Sequence, residues 1–172
     1  MKRLSYIVLI GILALAFSEA YFTAQAARPK YTPFEERLRG TVSGGMTSVR
    51  NEWTEITGQT ITGIGKGTLP GSPVIFTIAA EIRYNQRLEK SFTSGNWTIV
   101  ASDGQSSISG RFMGTGTNPK EFSGTFKSFN DTATGIYEGK MIYGEFQSQY
   151  LGPEAYGEPW RYKALWIGTL KD

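Results

Sequence analysis

The segment "PVIFTIAAEIRY" (Pro73–Tyr84) has the pattern that decides the fold. Its even-numbered residues are all apolar or aromatic, whereas the odd-numbered ones include Thr77, Glu81 and Arg83. Successive side chains of a strand point to opposite faces, so alternation sustained over the whole segment predicts a half-buried β-strand.

Comparable alternation recurs along the rest of the chain, interrupted by short turn signals such as Asp103–Gly104. No stretch offers a sustained helical period. Together with strands expected before Pro73, the pattern predicts an all-β domain of roughly eight strands, a closed or nearly closed antiparallel barrel or a related sandwich. The further predicted strands are Asn96–Ser102, Ser106–Thr117, Phe122–Phe129, Ala133–Tyr150 and Trp160–Leu170.

The N-terminus has the layout of a secretory signal peptide. Lys2 and Arg3 precede a short apolar run, and "AQA" at 24–26 matches a signal-peptidase site. We therefore expect a signal peptide over residues 1–26, an extended segment over 27–40 and a barrel domain over 41–172. Cleavage after Ala20 and a retained N-terminal anchor are the alternatives. Cleavage predicts a secreted or periplasmic protein with no stable membrane span.

The composition excludes several classes of site. The chain has no histidine and no cysteine, so the usual zinc, copper and iron sites and Ser–His or Cys–His nucleophiles cannot be built. We expect no metal and no cofactor. The formal net charge is +3, with no basic run, and this gives no support for a nucleic-acid partner.

The glycine-rich stretch "TGIGKGTLPG" (Thr62–Gly71) superficially resembles a phosphate-binding loop. A dinucleotide fingerprint needs a third glycine where this chain has Thr68 or Pro70, and a P-loop needs Ser or Thr where it has Gly67. No helical pattern follows. Gly63, Gly65 and Gly67 are instead expected on one face of a strand in the barrel wall.

Two sets of candidate functional residues remain. Glu55 is the candidate catalytic residue, because it shares a strand face with Trp53 and could project into the barrel mouth as a general acid or base; a solvated carboxylate on the outer face is the alternative. An eight-stranded barrel either fills with side chains or holds one small apolar ligand. The candidate ligand-binding residues are Trp53, Trp97, Phe112, Tyr137, Tyr143 and Trp166.

The segment "TATGIYEGKMIYGEF" (Thr132–Phe146), with the preceding "GRFMGTGT" and "FSGTF", resembles a hairpin of the allene oxide cyclase and dirigent-like barrels. Thr134, Gly135, Tyr137 and Gly139 match the glycine and aromatic spacing of those families. The resemblance implies a closed eight-stranded barrel, and it assigns no catalytic residue to this chain.

Three functional hypotheses follow. The first is an exported barrel that binds a small apolar or aromatic ligand or serves as a structural module of the envelope. The second is a cofactor-free cyclase or isomerase that acts in the barrel interior, with Glu55 or a tyrosine assisting. The third is a small outer-membrane barrel with lipid-facing apolar side chains.

Overall fold

The computed structural model describes residues 29–154 and 156–172, so the predicted signal peptide lies outside the described residues. Eight strands follow one another in chain order, with a short 3₁₀ helix at Gly135–Tyr137 between the sixth and the seventh. The strands are β1 Tyr31–Arg50, β2 Trp53–Gly67, β3 Val74–Asn85, β4 Lys90–Val100, β5 Ser107–Asn118, β6 Glu121–Ser128, β7 Met141–Leu151 and β8 Trp160–Lys171.

The sheet is a closed up-and-down barrel. Each strand pairs antiparallel with the next, and β1 pairs with β8 from Tyr31↔Lys171 to Val42↔Trp160. Closure pairs both edges of the sheet, which removes the exposed edges that an open sheet would present. The expected fold class is confirmed.

The interior is built from aromatic rings set against glycines of neighbouring strands. A glycine leaves the space that a large ring needs, and this is why the strands combine so many residues of both kinds. For example, a Cβ atom added to Gly95 would lie 2.9 Å from the Phe112 ring. The directly opposed pairs are Phe34–Gly168, Phe76–Gly63, Trp97–Gly110, Phe112–Gly95, Phe126–Gly144 and Phe146–Gly124.

The outer face carries charged side chains on every strand, beside exposed apolar ones such as Ile75 and Met113. Every strand has at least one exposed charged residue pointing outward, while the alternate positions form the buried apolar core. An outer-membrane barrel carries a band of apolar residues towards lipid, and outward charges on all eight strands disfavour that alternative. Among the described residues, no helix is long and apolar enough to cross a membrane. Representative outward charges, one on each strand from β1 to β8, are Arg39, Lys66, Glu81, Lys90, Arg111, Lys127, Glu145 and Lys163.

Two boundaries differ from the sequence expectation. β1 begins at Tyr31, so most of the segment expected to lead into the fold belongs to the barrel wall. Residues 133–140, expected to start a long strand, form a loop with the 3₁₀ helix, and β7 begins only at Met141. The glycines of this segment that suggested alternation have positive φ angles, at Gly135 (59°) and Gly139 (72°), and this is turn geometry rather than strand geometry.

Candidate functional site

Two of the predicted ligand-binding aromatics lie together in the centre of the barrel. The rings of Trp97 and Trp166 meet edge to face with centroids 5.4 Å apart, and Phe126 stacks on Trp166 at 4.3 Å. Phe126 also contacts Trp97 edge-on at 6.2 Å. These side chains are at most 2% exposed, so this part of the interior is occupied by protein.

Phe112 also points inward, where its ring lies edge-on to Phe146 at 5.7 Å. Trp97 donates its indole N–H to the carbonyl oxygen of Arg111 at 3.1 Å. The indole nitrogen of Trp166 is buried and has no partner among the described residues.

Glu55 and Trp53 lie on the outer face of the barrel, not in its mouth. The pairing of β2 with β3 shifts between Ile56 and Gln59, and Gly58 there has a φ of 72°. This bulge exchanges the two faces of β2. From Gln59 onward the odd-numbered residues point inward, whereas before the bulge the odd-numbered Glu55 points outward. The general acid–base position expected for Glu55 is therefore contradicted.

On the outer face, Glu55 forms an ion pair with Arg83 at 2.9 Å. The Arg83 guanidinium also lies 5.5 Å from the centroid of the Trp53 ring, and Phe92 contacts the same ring at 5.8 Å. The arrangement matches the solvated carboxylate that the sequence left as the alternative.

Tyr143 also faces outward. This β7 residue lies opposite Lys127 of β6 and Thr169 of β8, and it is 37% exposed. The inward face of this strand begins instead with Ile142, because the loop at 133–140 breaks the alternation from which the inward position was expected. The interior placement of Tyr143 was therefore wrong.

The structure brings together a buried polar group that the sequence did not single out. Glu36, in β1, is fully buried inside one end of the barrel. Its carboxylate accepts hydrogen bonds from the Ser72 hydroxyl at 3.0 Å and from the Leu69 backbone N–H at 3.3 Å. No cation pairs with it among the described residues.

Glycines make the space for this carboxylate. A Cβ atom added to Gly65 would lie 3.0 Å from one Glu36 oxygen, and one added to Gly67 would lie 2.7 Å from the other. The stretch that resembled a phosphate loop thus forms the wall beside Glu36, as part of β2 and the turn after it.

Tyr137 closes the same end of the barrel. Its side chain is fully buried, and its hydroxyl donates to the carbonyl oxygen of Pro70 at 2.5 Å. The 3₁₀ helix that carries it is held by Ser106, whose hydroxyl accepts from the Ile136 N–H at 3.0 Å and donates to Asp103 at 2.5 Å. Tyr137 therefore anchors the β6–β7 loop to the β2–β3 turn.

Burial shifts the ionisation of this cluster. Desolvation raises the pKa of Glu36 above its usual 4.5, and the hydrogen bonds from Ser72 and Leu69 offset part of the rise. Desolvation also raises the pKa of Tyr137 well above its usual range, helped by the charges of Glu36 and Asp103. Tyr137 stays protonated and Glu36 favours its neutral form more than an exposed glutamate does.

The position of Glu36 had a signal in the sequence. Phe34, Glu36 and Leu38 alternate with exposed residues, so extending the strand pattern back to Tyr31 would have placed this glutamate inward. The inward position of Glu36 is not predicted when residues 27–40 are assigned to a segment outside the barrel.

The outer face has a groove of about 630 Å³ that crosses five neighbouring strands, β5 to β8 and β1. Two rows of outward side chains border it, and buried residues such as Leu38 and Ala164 lie beneath. The first row is Arg37, Leu165, Gln147, Ser123 and Thr115, and the second is Arg39, Lys163, Gln149, Glu121 and Thr117.

Comparison with known protein families and with curated proteins finds no match to this chain. Among the described residues, no group of three or more Asp, Glu, His or Cys side chains is arranged to hold a metal ion.

Proposed function

We propose that this protein is an exported, non-enzymatic binding or structural module that makes its contacts through the outer surface of the barrel. In this proposal the interior is a structural core and not a ligand chamber. The observation that carries it is the aromatic cluster of Trp97, Phe126 and Trp166 in the middle of the barrel, in contact with one another.

The hypothesis of a small apolar ligand in the interior requires space that these rings occupy. Phe34 adds a fourth ring, 6.2 Å from Phe126, and the Gly110 backbone lies directly against Trp97. Interiors packed in this way lose stability when a side chain is removed, because the cavity cannot collapse completely. These contacts favour a core over a binding site.

The cyclase or isomerase hypothesis needs an acid or base beside a substrate. Glu36 is a buried carboxylate of suitable chemistry, but it is fully enclosed and both of its oxygens already accept hydrogen bonds. The same bonds join β1 to the β2–β3 turn, which favours a structural role for Glu36.

The proposal predicts that the wild-type interior takes up no apolar ligand. Titration with small aromatic and terpenoid compounds, followed by tryptophan fluorescence, is expected to give no saturable change from Trp97 and Trp166. The Phe126→Ala variant supplies the positive control, because a dry apolar cavity binds benzene-sized ligands. The Phe126→Ala substitution is expected to lower the free energy of unfolding by about 3–5 kcal/mol. If that variant does not fold, Phe126→Leu creates a smaller cavity.

Saturable binding of an apolar compound to the wild-type protein, with a blue or red shift of the buried tryptophans, would contradict the proposal. Such a result would support the interior-ligand hypothesis. Conversion of the bound compound into a product would support the cyclase or isomerase hypothesis.

A further inference from the structure

We propose that the groove across β5 to β8 and β1 binds an acidic oligosaccharide, with its anionic groups on Arg37, Arg39 and Lys163 and its hydroxyl groups along the remaining polar side chains. This inference rests on the proposed function, in which the outer surface makes the contacts. It adds the chemical class of the partner.

The cations at one end of the groove are placed against one another. Arg39 lies directly opposite Lys163, and Arg37 lies directly opposite Lys66, so β2, β1 and β8 bring four positive charges together. Like charges directly opposite each other in a sheet are destabilising. An anionic partner would convert this repulsion into attraction.

These cations are largely free of carboxylates. Among the described residues, the only ion pair of the four is Arg37 with Glu35 at 3.1 Å, and both side chains of that pair are well exposed. The chain as a whole is nearly balanced, with 18 Lys and Arg against 15 Asp and Glu. The four cations are therefore a local concentration of charge, and a second directly opposed pair, Arg111 and Lys127, lies on the outer face away from the groove.

The remaining lining is suited to sugar hydroxyls. Gln147, Ser123, Thr115 and Thr117 present uncharged donors and acceptors to the groove. Glu121, the carboxylate of the lining, lies on β6, two strands from Lys163, and accepts a hydrogen bond from the Gln149 amide at 2.7 Å.

The shape fits a linear chain. Neighbouring strands lie ~4.8 Å apart, so five strands give a groove ~19 Å long, and the two rows are two residues, or ~7 Å, apart along each strand. An extended oligosaccharide of several units fills such a space. A nucleic acid duplex needs a broader basic face than one end of this groove offers.

The test is calorimetric titration of the full chain with an oligogalacturonate tetrasaccharide and with a neutral tetrasaccharide of glucose. We expect saturable binding of the acidic sugar that weakens as salt is raised, and no binding of the neutral one. The double variant Arg39→Gln/Lys163→Gln is expected to bind at least tenfold more weakly while unfolding at the same or a higher temperature. The matched control, Arg111→Gln/Lys127→Gln, removes the same charge from outward positions outside the groove and is expected to bind like the wild type.

Equal binding of the neutral sugar would overturn the inference. Equal weakening of binding by both double variants would also overturn it, because that result indicates attraction by net charge alone. Tighter binding of a single-stranded DNA oligonucleotide at the same residues would indicate a nucleic acid rather than a sugar as the partner. That result would also overturn the inference. Absence of any sugar binding overturns this inference alone. The proposed function fails separately, if the interior binds an apolar ligand in the fluorescence titration.

Discussion

Gly110 lies in β5 directly opposite Trp97, and its backbone contacts the indole ring. A Cβ atom at this position would lie 2.6 Å from the Trp97 Cε2 atom and would also meet the Lys127 carbonyl oxygen. Real Cβ atoms do not approach other atoms so closely, so the ring or the strand would have to shift. This position therefore depends on the absence of a side chain.

Replacing Gly110 by alanine is expected to lower the free energy of unfolding by about 1–3 kcal/mol, as overpacked cores do. Urea denaturation followed by tryptophan fluorescence measures the change. Gly152→Ala is the matched control, because a Cβ atom there meets no atom within 4 Å. Equal stability of the Gly110 variant and the wild type would show that the barrel interior is looser than its contacts indicate.

Glu36 gives a prediction about pH. Its pKa is raised in the folded protein by desolvation, so the native state binds its proton more tightly than the unfolded chain does. The contribution of Glu36 to stability is therefore greatest below its unfolded pKa and is lost as the pH rises from about 4.5 through the raised folded pKa. The stability of the wild type relative to Glu36→Gln should fall over this range.

Urea denaturation of both proteins at a series of pH values between about 4 and 8 measures this difference. Glu145→Gln, which changes an exposed residue of β7, is the control and should show no such trend relative to the wild type. Parallel profiles for the wild type and Glu36→Gln would mean that Glu36 titrates alike in the folded and unfolded chains.

At the scale of elements, the connections at one end of the barrel act as a plug. The Tyr137 hydroxyl joins the β6–β7 loop to Pro70 in the β2–β3 turn, and Ser106 joins the same loop to the β4–β5 turn. Three connections distant in sequence are thus held by a few hydrogen bonds to backbone atoms. This end of the barrel is expected to be more rigid than the opposite end, where short turns such as Asn51–Glu52 join the strands.

The Tyr137→Phe substitution tests this plug. It keeps the ring but leaves the part-buried Pro70 carbonyl oxygen without its donor. A fully buried acceptor left unsatisfied costs about 1–3 kcal/mol, so a loss at the lower end of that range is expected here. Thermal unfolding and hydrogen exchange of residues 68–72 measure the effect. Tyr143→Phe, six residues away and exposed, should change neither quantity, and a similar loss in both variants would contradict the anchoring role.

The bulge in β2 shows how a local irregularity decides which side chains can act. Without the shift between Ile56 and Gln59, Glu55 would have continued the inward phase of Ile61. Alternation in the sequence fixes which residues share a face within one uninterrupted strand, but a bulge exchanges the two faces. Gly58 was the available signal, since glycine inside a strand often marks such a bulge.

At the scale of the whole molecule, closure creates the charge pattern. Long stretches of sequence separate the pair Arg37 and Arg39 from Lys66 and from Lys163. The chain contains no basic run. These cations become neighbours only because β1 pairs with both β2 and β8. A sequence-based search for a clustered positive face could not find them, because strand pairing is set by the tertiary structure.

The sequence by itself determined the all-β class, roughly eight antiparallel strands and most of the inward-facing residues, whereas the pairing of β1 with β8 closed the barrel. The sequence could do so because period-two alternation and short turns are local properties that each strand repeats. Only the tertiary structure decided that the interior is occupied by Trp97, Phe126 and Trp166, that Ser72 and Leu69 donate to the Glu36 carboxylate and that Glu55 and Tyr143 face outward. These outcomes depend on the register between distant strands, on one bulge and on where a loop ends, and none of these leaves a periodic trace in the chain.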